Sequence, residues 1–130
     1  MRLKPAYAEA HNNLGFSLMQ ADRVPAAVEQ FTVALRLRPD DADAHLNLGN
    51  AFLRLDRAPD AVGQYEQALR IKSDLAESHN NLAYVLARRG RIPEAISHYE
   101  ALLRIEPGNI DARQNLARLR AMRPAGGGGP

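Results

Sequence analysis

Cysteine is absent from the 130 residues. Its absence excludes disulfide frameworks, thiolate zinc sites and cysteine nucleophiles, and it fits a reducing compartment. Aromatic residues make up only 5% of the chain, while Ala, Leu and Arg dominate. Such a mixture favours helices packed through small and aliphatic side chains over a sheet. There is no excess of one charge either: 17 basic residues against 15 acidic ones leave a net +2. A nucleic-acid binder usually carries a concentrated basic field, so nucleic acid is not expected as a partner. Long hydrophobic runs are missing too. No stretch nears the roughly 20 apolar residues of a membrane span, and Met1-Arg2-Leu3-Lys4-Pro5 lacks the apolar run of a signal peptide. The expectation is an all-α, cytoplasmic protein of one domain, with no membrane contact.

What the chain does contain is a period. His11-Asn12-Asn13-Leu14-Gly15 returns as His45-Leu46-Asn47-Leu48-Gly49 and as His79-Asn80-Asn81-Leu82-Ala83, each 34 residues on. A weaker echo is Arg113-Gln114-Asn115-Leu116-Ala117. The second half of each unit keeps the same step, in Arg23-Val24-Pro25-Ala26-Ala27, Arg57-Ala58-Pro59-Asp60-Ala61 and Arg91-Ile92-Pro93-Glu94-Ala95. A period of this length is the mark of a stacked repeat, each unit one supersecondary element.

Two helices per unit follow. Proline is favoured just inside a helix start, so Pro25, Pro59 and Pro93 open the second helices. These run through Phe31, Tyr65 and Tyr99 and stop before Pro39, Ser73 and Pro107. First helices are expected to begin after caps at Asp40 or Asp41, Asp74 and Asn109, each with an acid in its first turn. In the first unit Ala8, His11, Leu14, Gly15 and Leu18 fall on one stripe of a 3.6-residue helix and form the expected core face. Gly15, Gly49 and Ala83, with Ala27, Ala61 and Ala95, let helix axes approach closely.

The 34-residue step, the Leu-Gly pair, the Ala preceding an aromatic, the following Ala34 and Ala68, and the terminal Pro together resemble the tetratricopeptide repeat, from Pro5 through Met122. There are departures: His stands in place of the usual large aromatic near the start of the first helix, Ser73 in place of Pro, and Leu102 in place of a small Ala. Local repacking is expected around Leu102. The resemblance implies a right-handed α-solenoid, a superhelix of three antiparallel helix-pair repeats plus a C-terminal capping helix. Its parts are the end of a truncated preceding repeat (1–5), three repeats (6–38, 39–72 and 73–106), a capping helix (107–123) and a flexible Gly-rich tail (124–130). Arg113 and Arg120 suit the solvating face that closes such an array. Residues 1–5 match Leu35-Arg36-Leu37-Arg38-Pro39, the close of a second helix. The chain is therefore read either as a piece of a longer array or as one whose first helix pair leaves an apolar face for self-association.

In such a superhelix the first helices line the concave groove. Their outward face carries an amide row, Asn13, Asn47, Asn81 and Asn115. An amide both donates and accepts, so it can satisfy a peptide's C=O and N–H together. With helices about 8 to 10 Å apart and an extended peptide rising about 3.3 Å per residue, one Asn meets every third residue of a guest. The row is similar to that of the O-linked N-acetylglucosamine transferase repeats, which grip substrate backbone; the alternative is that these amides bond neighbouring helices. Phe16, Asn50, Tyr84 and Arg118 lie one turn on, with Arg54 and Arg88 beyond them. The aromatics can take apolar side chains of a ligand or fill gaps between helices, and the Arg chains can pair with acidic groups or stay solvated. The acidic row Glu9, Asp43, Glu77 and Asp111 is explained by the helix dipole alone.

The repeats that grip a C-terminal carboxylate use Lys and Asn on the first helix and basic residues on the third; here those places hold Asn12, Phe16, Glu77 and Asn81, which argues against that mode. His11, His45 and His79 recur one helix pair apart, too far to share a metal, and His98 stands alone on a second helix. No catalytic constellation, cofactor site or metal site is proposed. The expected function is a scaffold that binds an extended segment of a partner protein. Alternatives are a substrate-recruiting fragment of a larger enzyme such as a glycosyltransferase, and a homotypic assembly module.

Overall fold

The structure is a computed structural model describing residues 5–122; the readings for residues 1–4 and 123–130 lie outside the described residues. Seven helices account for the described chain: α1 (Pro5–Gln20), α2 (Val24–Leu37), α3 (Ala42–Arg54), α4 (Ala58–Ile71), α5 (Ala76–Arg88), α6 (Ile92–Ile105) and α7 (Ile110–Met122). They form two compact units, divided between Ser73 and Asp74. In the first, α1–α2 and α3–α4 are hairpins and α2 packs on α3; in the second, α5–α6 is a hairpin and α7 packs on α6. The all-α repeat architecture with a closing helix is the one the period implies.

Local chemistry sets each hairpin. Arg23 N–H reaches Leu18 O at 2.8 Å and Asp22 N–H reaches Met19 O at 3.0 Å, and the same pair of bonds recurs after α3 and α5. This closure requires a left-handed residue just past the helix. Asp22, Asp56 and Gly90 supply it, with φ of 61°, 60° and 80°. The second helices then start without a side-chain cap, with Pro25, Pro59 and Pro93 in the first two positions. In α4 and α6 an arginine at the helix start pairs with an acid three residues on, Arg57 with Asp60 at 2.8 Å and Arg91 with Glu94 at 2.6 Å.

The first unit's core gathers Val24, Ala27, Phe31, Leu48 and Ala51, with Leu18, Met19 and Phe52 packed against them. Ring lies on backbone here: a Cβ placed on Gly15 would fall 2.6 Å from the Phe31 ring, and one on Gly49 would fall 2.6 Å from the Tyr65 ring. In the second unit Leu82, Ala83, Leu86, Ala95, Ile96, Tyr99, Leu116 and Leu119 are buried, and Leu102 fits the site held by Ala34 and Ala68 in the earlier repeats without loss of burial.

Three expectations are corrected. Leu14 is 47% exposed although Leu48, one period on, is 5% exposed; α3 has α2 packed against it, whereas no described helix precedes α1. The start of α5 is held by Leu75, with no side-chain cap, not by Asp74. Asp41 and Asn109 do cap, accepting from Ala44 N–H at 3.1 Å and Ala112 N–H at 2.9 Å. Leu75 is the residue in register with those two, so Asp74 falls one place early. Glu9 lies beyond the first turn of α1, because that helix already begins at Pro5.

Candidate functional site

The candidate residues occupy the first helices of each repeat, and the two units present them differently. In the first unit Asn13 and Phe16 project from α1, Phe16 being 52% exposed. Half-buried Asn47 donates from Nδ2 to Asn12 Oδ1 on α1 at 3.2 Å, so this amide ties neighbouring first helices. Asn50 accepts from the Tyr65 hydroxyl at 2.6 Å. Arg54 donates to Met19 O at 3.0 Å and pairs with Asp22 at 2.5 Å. Three of the five residues therefore already serve the fold, and Asn13 and Phe16 remain turned outward. A polar hollow of about 280 Å³ lies beside Asn13, between Glu9, Asn12, Asn13, Arg38, Asp41 and Asp43.

In the second unit Tyr84 stands in the register of Phe16 and Asn50 and is 47% exposed. Arg88 lies over its ring, 5.5 Å from the centroid, and donates to its hydroxyl at 3.3 Å. Asn81 accepts from Asn80 at 3.4 Å. Asn115 accepts from Arg118 Nη1 at 3.2 Å and hydrogen-bonds the Tyr99 hydroxyl. Burial raises the Tyr99 pKa above its ordinary value, against smaller opposing effects of Asn115 and Arg118, so the phenol stays neutral. Tyr84, Arg88, Tyr99, Asn115, Arg118 and Leu119 share one open cavity of about 300 Å³. Sequence reasoning missed Tyr99, because its register partners Phe31 and Tyr65 read as core; the signal was the hydroxyl itself.

The recurring histidines have a definite use inside each hairpin. His11 Nδ1 meets Gln30 Oε1 at 2.7 Å, and His45 Nδ1 meets Gln64 Oε1 at 2.8 Å. In the third repeat His98 stands where the glutamines stood, and His79 Nδ1 meets His98 Nδ1 at 3.0 Å. His98 is therefore not alone, and the 34-residue register of Gln30 and Gln64 could have shown it.

Successive α-hairpins repeating every 34 residues define a helical repeat protein. Residues 2–42 and 12–76 match one tetratricopeptide repeat family model, and residues 76–119 match another. The chain belongs to the tetratricopeptide repeat family. Among solved structures it is similar to the first such domain of Spaghetti (RPAP3) bound to the HSP90 peptide SRMEEVD, with a TM-score of 0.89 and 17% identity over 94% of this chain and 97% of that one. MamA is similar with a TM-score of 0.86 and 25% identity, over 92% and 70% of the two chains. The second domain of human RPAP3 in complex with the HSP70 peptide SGPTIEEVD gives 0.83 and 20%, over 90% and 98%. At such identities the RPAP3 likenesses show the fold alone. No curated protein matches the sequence.

Proposed function

We propose that this chain is a protein-interaction scaffold that binds an extended peptide segment of a partner through the outward faces of its first helices. The observation that carries the reading is the pair Phe16 and Tyr84, large aromatic side chains about half exposed at the same repeat position and flanked by amides. Two of the similar repeat domains are described as bound to short peptides, of HSP90 and of HSP70, which supports the class of ligand though not its identity. The family models that match are repeat models, so chemistry is not assigned to the chain. Asn13 is the amide of the row best placed to meet a guest backbone, since Asn47 and Asn115 spend donors or acceptors on neighbours. That backbone grip is the feature in which the row resembles the transferase repeats. Hydrogen bonds of this kind contribute about 0.5 to 1.5 kcal/mol each, so micromolar binding, about 8 kcal/mol, needs the aromatic contacts as well. Titrating a peptide library against the wild type, Phe16→Ala, Tyr84→Ala and Asn13→Ala tests this. Each aromatic loss should weaken binding about 5- to 30-fold, the effect of removing 1 to 2 kcal/mol; unchanged affinity in all variants removes these faces from the account.

A second reading is favoured by Leu14, exposed at the position where Leu48 is buried: self-association through the outer face of α1. Sedimentation should then show concentration-dependent dimers that Leu14→Gln abolishes. A monomer at high concentration ends this reading.

A further inference from the structure

The cavity of the second unit has a chemistry of its own. Its apolar wall is the Tyr84 ring with Leu119 and Met122, and its polar rim is Asn115, Arg88 and Arg118. No acidic side chain lines it. The two guanidinium groups are spent on neutral acceptors, the Tyr84 hydroxyl and the Asn115 carbonyl. Neither belongs to any of the four ion pairs among the described residues, which use Arg54, Arg57, Arg91 and Arg120. The contrast with Arg54 is informative, because it holds the same repeat position as Arg88 and is neutralised by Asp22. A guanidinium has five N–H donors and forks onto a carboxylate with charge-assisted bonds about twice as strong as neutral ones. Two of them on one rim, with no acid beside them, leave a positive, partly apolar hollow that an anion with an apolar neighbour completes.

We propose that this cavity binds an acidic side chain of a partner peptide together with an adjoining bulky apolar residue, the carboxylate held between Arg88 and Arg118 and the apolar chain laid on Tyr84, Leu119 and Met122. The inference rests on the peptide-binding reading and adds a charge requirement to it. Size agrees: about 300 Å³ is the lower end of the ligand-pocket range, enough for one or two side chains. A phosphate is the weaker fit, since most of the wall is apolar and the rim is built of side chains, without the nest of backbone N–H groups that phosphate sites use. The carboxylate would come from an Asp or Glu inside the peptide. A free chain end is then unnecessary, and blocked peptides bind.

The test uses the whole chain, isotopically labelled, in an NMR titration with a terminally blocked nonapeptide carrying a central Leu-Glu-Phe between Gly and Ser residues. Saturating shifts centred on α5 and α7 are expected, with the matching Leu-Gln-Phe peptide at least 10-fold weaker. Arg88→Gln and Arg118→Gln should each weaken the Glu peptide about 10-fold and erase the Glu-over-Gln preference. Arg104→Gln, on the exposed side of α6, should leave both unchanged. Because both arginines are exposed, circular dichroism of the variants should match the wild type, which separates lost binding from lost fold. Equal binding of the Glu and Gln peptides overturns this proposal while leaving peptide binding in place. Binding of neither peptide overturns both. A phosphoserine peptide or a single-stranded RNA oligomer that binds 10-fold tighter than the Glu peptide also overturns it, in favour of a phosphate site.

Discussion

At the scale of single residues, two helical glycines have opposite meanings. Gly49 sits under the Tyr65 ring, where an added methyl would lie 2.6 Å from a ring carbon, and the ring is held in place by its hydroxyl bond to Asn50. Overpacking of this kind costs about 1 to 3 kcal/mol. Gly63, inside α4, has nothing within 4 Å of the same added atom, so a methyl there removes only the helix penalty of glycine, about 0.5 to 1 kcal/mol. Gly49→Ala should therefore lower the urea midpoint and Gly63→Ala should raise it; shifts of the same sign would refute the packing account. The first effect could be read from the recurrence of Gly15 and Gly49 at a fixed distance from Phe31 and Tyr65. Gly63 has no counterpart in the period, so nothing in the sequence showed its surroundings. Ala83, one period after Gly49, is fully buried with Tyr99 on the partner helix, which shows that the second unit has found room for the methyl.

At the scale of elements, the hairpins differ in one hydrogen bond. Two are bridged by a histidine and a glutamine, which does not titrate, and the third by His79 and His98. Two rings meeting through Nδ1 atoms share one proton, one ring donating and the other accepting. Burial is the main force pushing the His98 pKa below its ordinary 6.5; His79 adds to it and Glu94 opposes it. The unfolded chain thus holds more protons than the folded one between pH 6.5 and the lower folded value. Stability from this pair is whole above pH 6.5 and lost as the pH falls through the folded value. His98→Gln recreates the bridge of the other hairpins, so the variant should lose less stability than the wild type between pH 7.5 and 5 in denaturant titrations. Equal losses would show that the pair has no part in acid sensitivity. Caps were legible at this scale where a polar side chain stood in register, at Asp41 and Asn109. They were misread at Leu75, because a neighbouring Asp74 offered a cap chemistry that the backbone places one residue too early.

At the scale of the molecule, the period alone foretold seven helices and their pairing, since a returning Leu-Gly and Pro-x-Ala can be buried only by stacking like units. The cavity of the second unit was not foretold, for it depends on where the long chains of Arg88 and Arg118 lie and on Tyr99, which resembles core. Nor did the sequence show that contacts gather into two units, one of four helices and one of three. That division has an energetic consequence. Leu48 on α3 and Leu116 on α7 are equivalent, two periods apart and similarly buried, and each lies on a helix packed against the second helix of the preceding hairpin. Truncating either to alanine costs about 2 to 5 kcal/mol. In a repeat array stability is a sum of local and neighbour terms, so the loss should stay with the unit whose leucine is truncated. Amide hydrogen exchange reads this directly: Leu48→Ala should strip protection from α1 to α4 and spare most of α5 to α7, and Leu116→Ala should do the reverse. A uniform loss along the chain from either change would mean that all seven helices open as one block. The local outcome has a functional corollary, because peptide binding in the second-unit cavity would then restore protection in Leu116→Ala and leave Leu48→Ala unrescued.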